Sequence, residues 1–203
     1  MITTLEDSTI RSLFHSHNGF IETSQLRRYG VNRFQLQNLL EAGLVERIRR
    51  GLYQWVGDGL QEGESLVAVS RSIPRGVFCL TSALDVHDVG THIPAQVQVA
   101  IRFDDHATPP DYPPTQVFYW SKIRYDTGIE RVLVGGEWIN VYNLEKTICD
   151  LARYRKKLGK GILIEAIREY FARSRTNVPL LSHYAKELHV SHIINPYVEV
   201  LLG

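Results

Sequence analysis

The spacing of apolar positions changes several times along the chain, and each change marks an element. Ile10, Leu13, Phe14 and His17 recur at i, i+3, i+4 and i+7, the stripe of a short amphipathic helix that Gly19 stops. Thr23 suits the N-cap of a second helix, SQLRRY, and Gly30 suits its left-handed end. Asn32 caps a third, RFQLQNLLEA, with Gln35 as its capping-box partner. Phe34, Leu36, Leu39 and Leu40 are expected to form that helix's apolar side, and Gly43 to end it. LVERI and LYQWV then read as two strands flanking a hairpin tip at Arg49-Arg50-Gly51.

Gly57 to Gly63 holds three glycines in seven residues and reads as a linker. Beyond it the pattern is mixed. SLVAVSRSI reads as a helix, and RGVFCLTSALDVHDVG as a strand running into a helix that carries Ala83, Leu84 and His87. In QVQVAIRF, Val97, Val99, Ile101 and Phe103 alternate with Gln98, Ala100 and Arg102, as in a half-buried strand. DDHATPPDYPPT carries four prolines and must be a loop. VFYW is another strand, and RVLV and EWINVY form a hairpin turned by Gly135-Gly136. The last sixty residues are helical: Asn143 caps LEKTICDLARYRKKLG, Ile162 to Phe171 stripe the next helix, and Pro179 opens a third. The expected fold class is therefore α+β. A domain over 1–57 precedes a mixed α/β domain over 64–203 that ends in a helical segment.

Three helices followed by a hairpin is the order of a winged helix-turn-helix, and Gly30-Val31-Asn32 is a turn of suitable length between its second and third helices. In that motif the third helix enters the major groove with its N-terminal residues at base edges. Arg33, Gln35, Gln37 and Asn38 are long polar side chains suited to bases or phosphates, and Arg49 and Arg50 stand at the wing tip. Arg27 and Arg28 on the second helix complete the DNA-binding set. The alternative for these residues is a small helical domain used for protein contacts.

Charge sharpens this reading. The 203 residues carry a formal net charge of only +1, but the charge is unevenly spread. Gln25 to Arg50 is a local +4 and Leu151 to Arg175 a local +6, so two segments suit a polyanion. In the second, Arg153, Lys156, Lys157 and Lys160 fall at helical spacing and are expected to share one face, with Arg168 on the following helix.

Other chemistry is sparse. Hydrophobic residues at 44% and charged residues at 22% describe a chain able to bury a core, and wholesale disorder is not expected. No apolar run approaches the roughly 18–20 residues of a membrane span. MITTLEDST, with Glu6 and Asp7, lacks the apolar region of a signal peptide, so the expected location is the cytoplasm. Two cysteines, Cys79 and Cys149, exclude a disulfide scaffold or a multi-cysteine zinc site. Eight histidines make no HExxH, GxSxG and the phosphate-loop signature are absent, and Ser82, His87 and Asp88 are too close in sequence to suggest a triad. Asp104, Asp105 and Glu137 supply carboxylates, but no D…(D/E)xK spacing accompanies them. The expectation is a chain with no catalytic residues, no metal and no cofactor.

The assembled pieces resemble the antitoxins of type IV toxin–antitoxin systems of the abortive-infection AbiEi type. GLVERIRRGLYQW, PRGVFCLTSAL, NLEKTICDLARYRKKLGKGILIEAIREYFARSR and INPYVEVLL carry the likeness, which spans roughly residues 5–202. EKTICDLARYRKKLG is the most specific stretch, and the winged helix is generic. The resemblance implies a phage-defence regulator whose winged helix binds inverted repeats upstream of its own operon and represses it. It implies a C-terminal domain that counters a nucleotidyltransferase-like toxin without a stable complex. Carried onto this chain, the face of Arg153, Lys156, Lys157, Lys160 and Arg168 becomes the candidate antitoxicity surface. Two rival readings remain: a nucleic-acid-cleaving enzyme targeted by a winged helix, and a module that binds the toxin directly.

Overall fold

A computed structural model describes residues 7–57, 63–92 and 94–202. Apart from its end residues Gly57 and Gly63, the expected linker lies outside the described residues. The chain is α+β, with its strands in two separate sheets. Contacts group it into two compact units. One takes in residues 1–74, 107–115 and 133–138, the other 75–106, 116–132 and 139–203. The sequence reading had placed the division between 57 and 64.

The first unit opens with α1 (Asp7–His15), β1 (Phe20–Glu22), α2 (Thr23–Arg28) and α3 (Arg33–Glu41). The hairpin β2 (Val45–Arg49) and β3 (Leu52–Trp55) follows, then α4 (Glu64–Ser72). β1 was not expected. It pairs antiparallel with β3, Ile21 opposite Tyr53, so the hairpin is part of a three-stranded sheet ordered β1-β3-β2. Its alternation explains how both sheet faces are covered. Ile21 joins Ile10, Phe14, Leu26, Val31, Leu39, Val45 and Trp55 in one core, while Phe20 joins Ile48, Leu52, Val67 and Ala68 in another. At α2 the cap residue is Glu22, not Thr23. Glu22 gives its backbone N–H to Gln25 Oε1 at 2.9 Å, and the Thr23 hydroxyl turns to the Gly51 carbonyl. Gly30 ends α2 at φ 82°, a conformation that glycine adopts without steric cost.

The larger sheet has five strands, β4 (Val77–Phe78), β5 (Val97–Arg102), β6 (Thr115–Trp120), β7 (Ile129–Val134) and β8 (Glu137–Tyr142); all but residues 115, 133–134 and 137–138 of these fall in the second unit. Its order is β6-β5-β4-β8-β7, antiparallel at β4/β5 and parallel at β4/β8. The expected two-glycine turn joins β7 to β8, with Gly135 and Gly136 both at positive φ. α5 (Leu80–Val86) follows β4, and a short helix, α6 (Lys122–Asp126), follows β6 where none was expected. The helical end comprises α7 (Leu144–Leu158), α8 (Lys160–Ala172), α9 (Val178–Glu187) and α10 (Ser191–Leu202). Asn143 caps α7 through the Lys146 N–H at 3.0 Å, and Pro179 sits in the first turn of α9. Leu163, Ile167 and Tyr170 of α8, and Leu181 and Ala185 of α9, share a core with Ile148 and Leu151 of α7.

Candidate nucleic-acid interface

The best-defined surface is built on α3. Asn32 Oδ1 accepts the Gln35 N–H at 2.9 Å, and Gln35 Oε1 accepts the Asn32 N–H at 3.0 Å. This reciprocal cap satisfies two donors that a helix N-terminus otherwise leaves orphaned. It also places Gln35, which is buried and has its amide oxygen committed to the cap. Of the four expected groove residues on α3, Gln35 therefore positions the helix, whereas Arg33, Gln37 and Asn38 stand in solvent. Gln37 donates to Glu41 one turn on, at 2.9 Å. Phe34 departs from expectation. It was assigned to the apolar side of α3 but is 73% exposed. At about 100° per residue it lies nearly opposite the mean direction of Leu36, Leu39 and Leu40, a signal the sequence already carried.

The same unit exposes Arg27 and Arg28 in the last turn of α2, Arg47 on β2 and Arg50 at the hairpin tip, and Arg47 lines a groove with Arg33 of α3. With Arg33 they make five exposed guanidiniums, and none of the five is held in an ion pair among the described residues. Arg47, outside the expected DNA-binding residues, belongs to this set. Arg49 does not behave like its neighbour. Its Nη1 donates to the Arg50 carbonyl at 3.2 Å, its Nη2 lies 3.7 Å from the Glu22 carboxylate, and its Nε is buried without a partner. The two tip arginines therefore differ: Arg49 is folded back, and Arg50 is exposed with no ion pair among the described residues.

Between α3 and the hairpin runs a groove of about 470 Å³, lined by Arg33, Gln37, Arg47, Tyr53, Leu36, Leu40 and Asp111. Asp111 comes from the proline-rich loop and is held there by its own backbone, which donates to the Ile48 carbonyl of β2 at 2.7 Å. One carboxylate thus shares a groove with two arginines. The sequence alone gave no reason to bring residue 111 to residue 48.

In the second unit Arg153, Lys156, Lys157, Lys160 and Arg168 are all exposed. They do not form the single ladder expected of them. α7 ends at Leu158, Gly159 adopts φ 98°, and Lys160 begins α8. Arg153 donates through its guanidinium to the Leu188 carbonyl at the end of α9, and the Lys157 ammonium stands 5.9 Å from the Tyr154 ring centre.

Beneath that surface lies a buried ionic cluster that the sequence reading missed. Lys146 and Asp150 of α7 are 0% and 1% exposed, and the lysine ammonium donates to Asp150 Oδ2. Arg124 of α6 reaches Asp150 Oδ1 through Nε and Nη2, both at 3.1 Å. Aromatic faces complete the site. Lys146 Nζ is 4.4 Å from the Trp120 ring centre and 4.2 Å from that of Tyr142, and the Arg124 guanidinium is 4.0 Å from Trp120. Burial pulls the lysine below its ordinary pKa, and Asp150 opposes the shift. The same burial holds the Cys79 thiol well above its usual range. A lysine four residues before an aspartate was the available signal, but i,i+4 pairs are common on solvated faces.

Ser82, His87, Asp104 and Asp105 are each engaged within the protein. Ser82 Oγ is buried and accepts the Gln98 N–H at 2.9 Å, and a ring nitrogen of His87 meets the Tyr142 carbonyl at 2.8 Å. Asp104 pairs with Arg102 at 3.0 Å and Asp105 with Arg75 at 3.1 Å. Among the described residues no group of three or more His, Cys, Asp or Glu side chains could hold a metal ion. No helix among them is long and apolar enough to cross a membrane.

Compared with known families, residues 8–55 match the one described as "Transcriptional regulator, AbiEi antitoxin". The N-terminal region therefore carries the AbiEi regulator domain, over α1 to β3. The stretch at 143–175, on which the sequence resemblance leaned most, lies outside the matched residues. No curated protein matches the chain.

Proposed function

We propose that residues 1–57 form a winged helix-turn-helix that binds duplex DNA, and that residues 64–203 form the antitoxin part. In this reading the chain is a non-enzymatic cytoplasmic regulator. It occupies inverted repeats upstream of its own operon, represses transcription, and counters a nucleotidyltransferase-like toxin as a type IV antitoxin. The observation that carries the DNA half is the exposed face of the capped α3, together with five exposed guanidiniums of the same unit that are in no ion pair among the described residues. A helix so presented suits the major groove, and cations at its flanks and at a hairpin tip suit phosphate. The AbiEi match over residues 8–55 supports the same assignment. The antitoxin half rests on that family and on the exposed cations of α7 and α8. Asp104 and Asp105, each already paired with an arginine, give no support to a metal-dependent nuclease.

The test is a mobility shift of the gene's own upstream DNA against random duplex, at 50 and 200 mM salt. If all five arginines meet phosphate, log K falls with log salt at a slope of about −4.5 per bound copy, a loss of roughly 500-fold across that range. A specific, salt-sensitive shift is expected. Folded protein that shifts neither duplex refutes the DNA assignment and directs attention to toxin binding.

A further inference from the structure

We propose that Phe34 reads the C5-methyl group of a thymine, so that each half-site bound by this chain carries a thymine facing the first turns of α3. The inference rests on the DNA-binding reading above and extends it to base identity. Phe34 is the second residue of α3 and is 73% exposed, whereas Leu39 on the inward face is 2% exposed. The exposed residues of the helix are Arg33, Phe34, Gln37, Asn38 and Glu41. At about 100° per residue they fall within an arc of roughly 140°. Phe34 lies inside that arc, between Glu41 and Asn38, and not at its boundary with the core.

A phenyl ring held in water in the middle of a polar face forgoes the gain of burial, so its place there calls for something to cover it. The chemistry around it selects the occupant. Its companions on the face are polar or charged, and α2 and the hairpin expose four arginines (27, 28, 47 and 50) against one acid, Glu46. An apolar protein partner would have to strip water from all of them. Duplex DNA offers the combination directly: phosphates for the arginines, donors and acceptors for Gln37 and Asn38, and one apolar feature on the major-groove edges, the thymine methyl. Residues near the N-terminus of a helix lying in that groove are the ones that reach base edges, and Phe34 is the apolar one among them here.

The experiment starts from duplexes bound specifically by the full chain, taken from its own upstream DNA or selected from a random library. Each thymine is replaced in turn by deoxyuridine, which removes the methyl group and leaves the hydrogen-bonding edge intact. Dissociation constants are measured for wild type and Phe34→Ala. The expected result is one thymine per half-site at which deoxyuridine weakens wild-type binding about fourfold, the effect of one buried methyl group. Phe34→Ala should lose a similar factor on the natural site and become indifferent to that substitution. If Phe34→Ala fails to bind measurably, Phe34→Leu is used, and its deoxyuridine penalty must be smaller than that of wild type. Wild-type protein that binds specifically but ignores every deoxyuridine overturns the proposal alone. So does a variant that keeps the full deoxyuridine penalty. Absence of any sequence-specific binding overturns the DNA reading and this inference with it.

Discussion

The cluster at Lys146, Asp150 and Arg124 contains two cations and one carboxylate, all buried or nearly so, and that imbalance makes a sharp prediction. Asp150→Asn changes little in volume but leaves Lys146 and Arg124 facing each other without a counter-charge. Removing one partner of a buried ion pair typically costs about 3–5 kcal/mol. For a chain of this size each kcal/mol shifts the melting temperature by about 2–4 °C, so the variant should melt roughly 6–20 °C lower. Lys146→Met should behave differently. It replaces a buried cation by an apolar chain of similar length against the Trp120 and Tyr142 rings, and leaves Asp150 paired with Arg124 in a neutral site. Its cost should stay below about 1.5 kcal/mol. pH adds a second test. Burial lowers the folded-state pKa of Lys146, so the unfolded state binds more protons as pH rises towards 10.5. Stability from this group therefore increases with pH, and the Asp150→Asn deficit should narrow towards pH 10, because lysine can shed its proton and arginine cannot. Urea unfolding followed by circular dichroism at several pH values measures both effects. Equal losses for Asp150→Asn and Lys146→Met would refute the charge-count argument and leave a specific Lys–Asp bond as the stabilising unit.

Arg50→Ala should reduce the salt slope of DNA binding by about 0.9 per bound copy, while Arg49→Ala, whose guanidinium is turned to Glu22 and the Arg50 carbonyl, should leave it unchanged; salt titrations of affinity distinguish them. Asp111→Asn should tighten binding roughly two- to fivefold at low salt, since it removes a negative charge from the groove shared with Arg33 and Arg47. Gln35→Ala should destabilise the first unit by about 1 kcal/mol through loss of the cap, and Gln35→Glu, which keeps the acceptor, should recover most of it in thermal melts. Cys79 and Cys149 should resist thiol reagents in the native protein at pH 8 and react after denaturation, because burial raises both, Cys149 to about 12. Between about pH 9 and 12 the unfolded Cys149 thiol is ionised and the folded one is not, so its contribution to stability falls as pH rises.

What could be read from the sequence is what neighbouring residues settle between themselves. The Asn32–Gln35 cap, the Asn143 cap, the Gly135-Gly136 turn and the helical stripe of α8 each depend on contacts within a few residues, and each appears where the pattern put it. The break at Gly159 was legible too, since a glycine one residue before Lys160 was enough to end the basic ladder. Tertiary structure decided which polar side chains remained free. Arg27, Arg28, Arg33, Arg47 and Arg50 look like Arg49 in sequence, and what separates Arg49 is its turn towards the Glu22 carboxylate and the Arg50 carbonyl. Asp111 reaches the groove through a hydrogen bond across more than sixty residues. Lys146, Asp150 and Phe34 break the rule that charge faces water and apolar surface faces the core. The rule fails there because burial is set by whichever elements pack on a segment. α7 is covered by the sheet and by neighbouring helices, whereas the side of α3 that carries Arg33, Phe34 and Asn38 is exposed among the described residues. Local hydrogen bonds follow the order of residues, but burial follows the packing of distant ones.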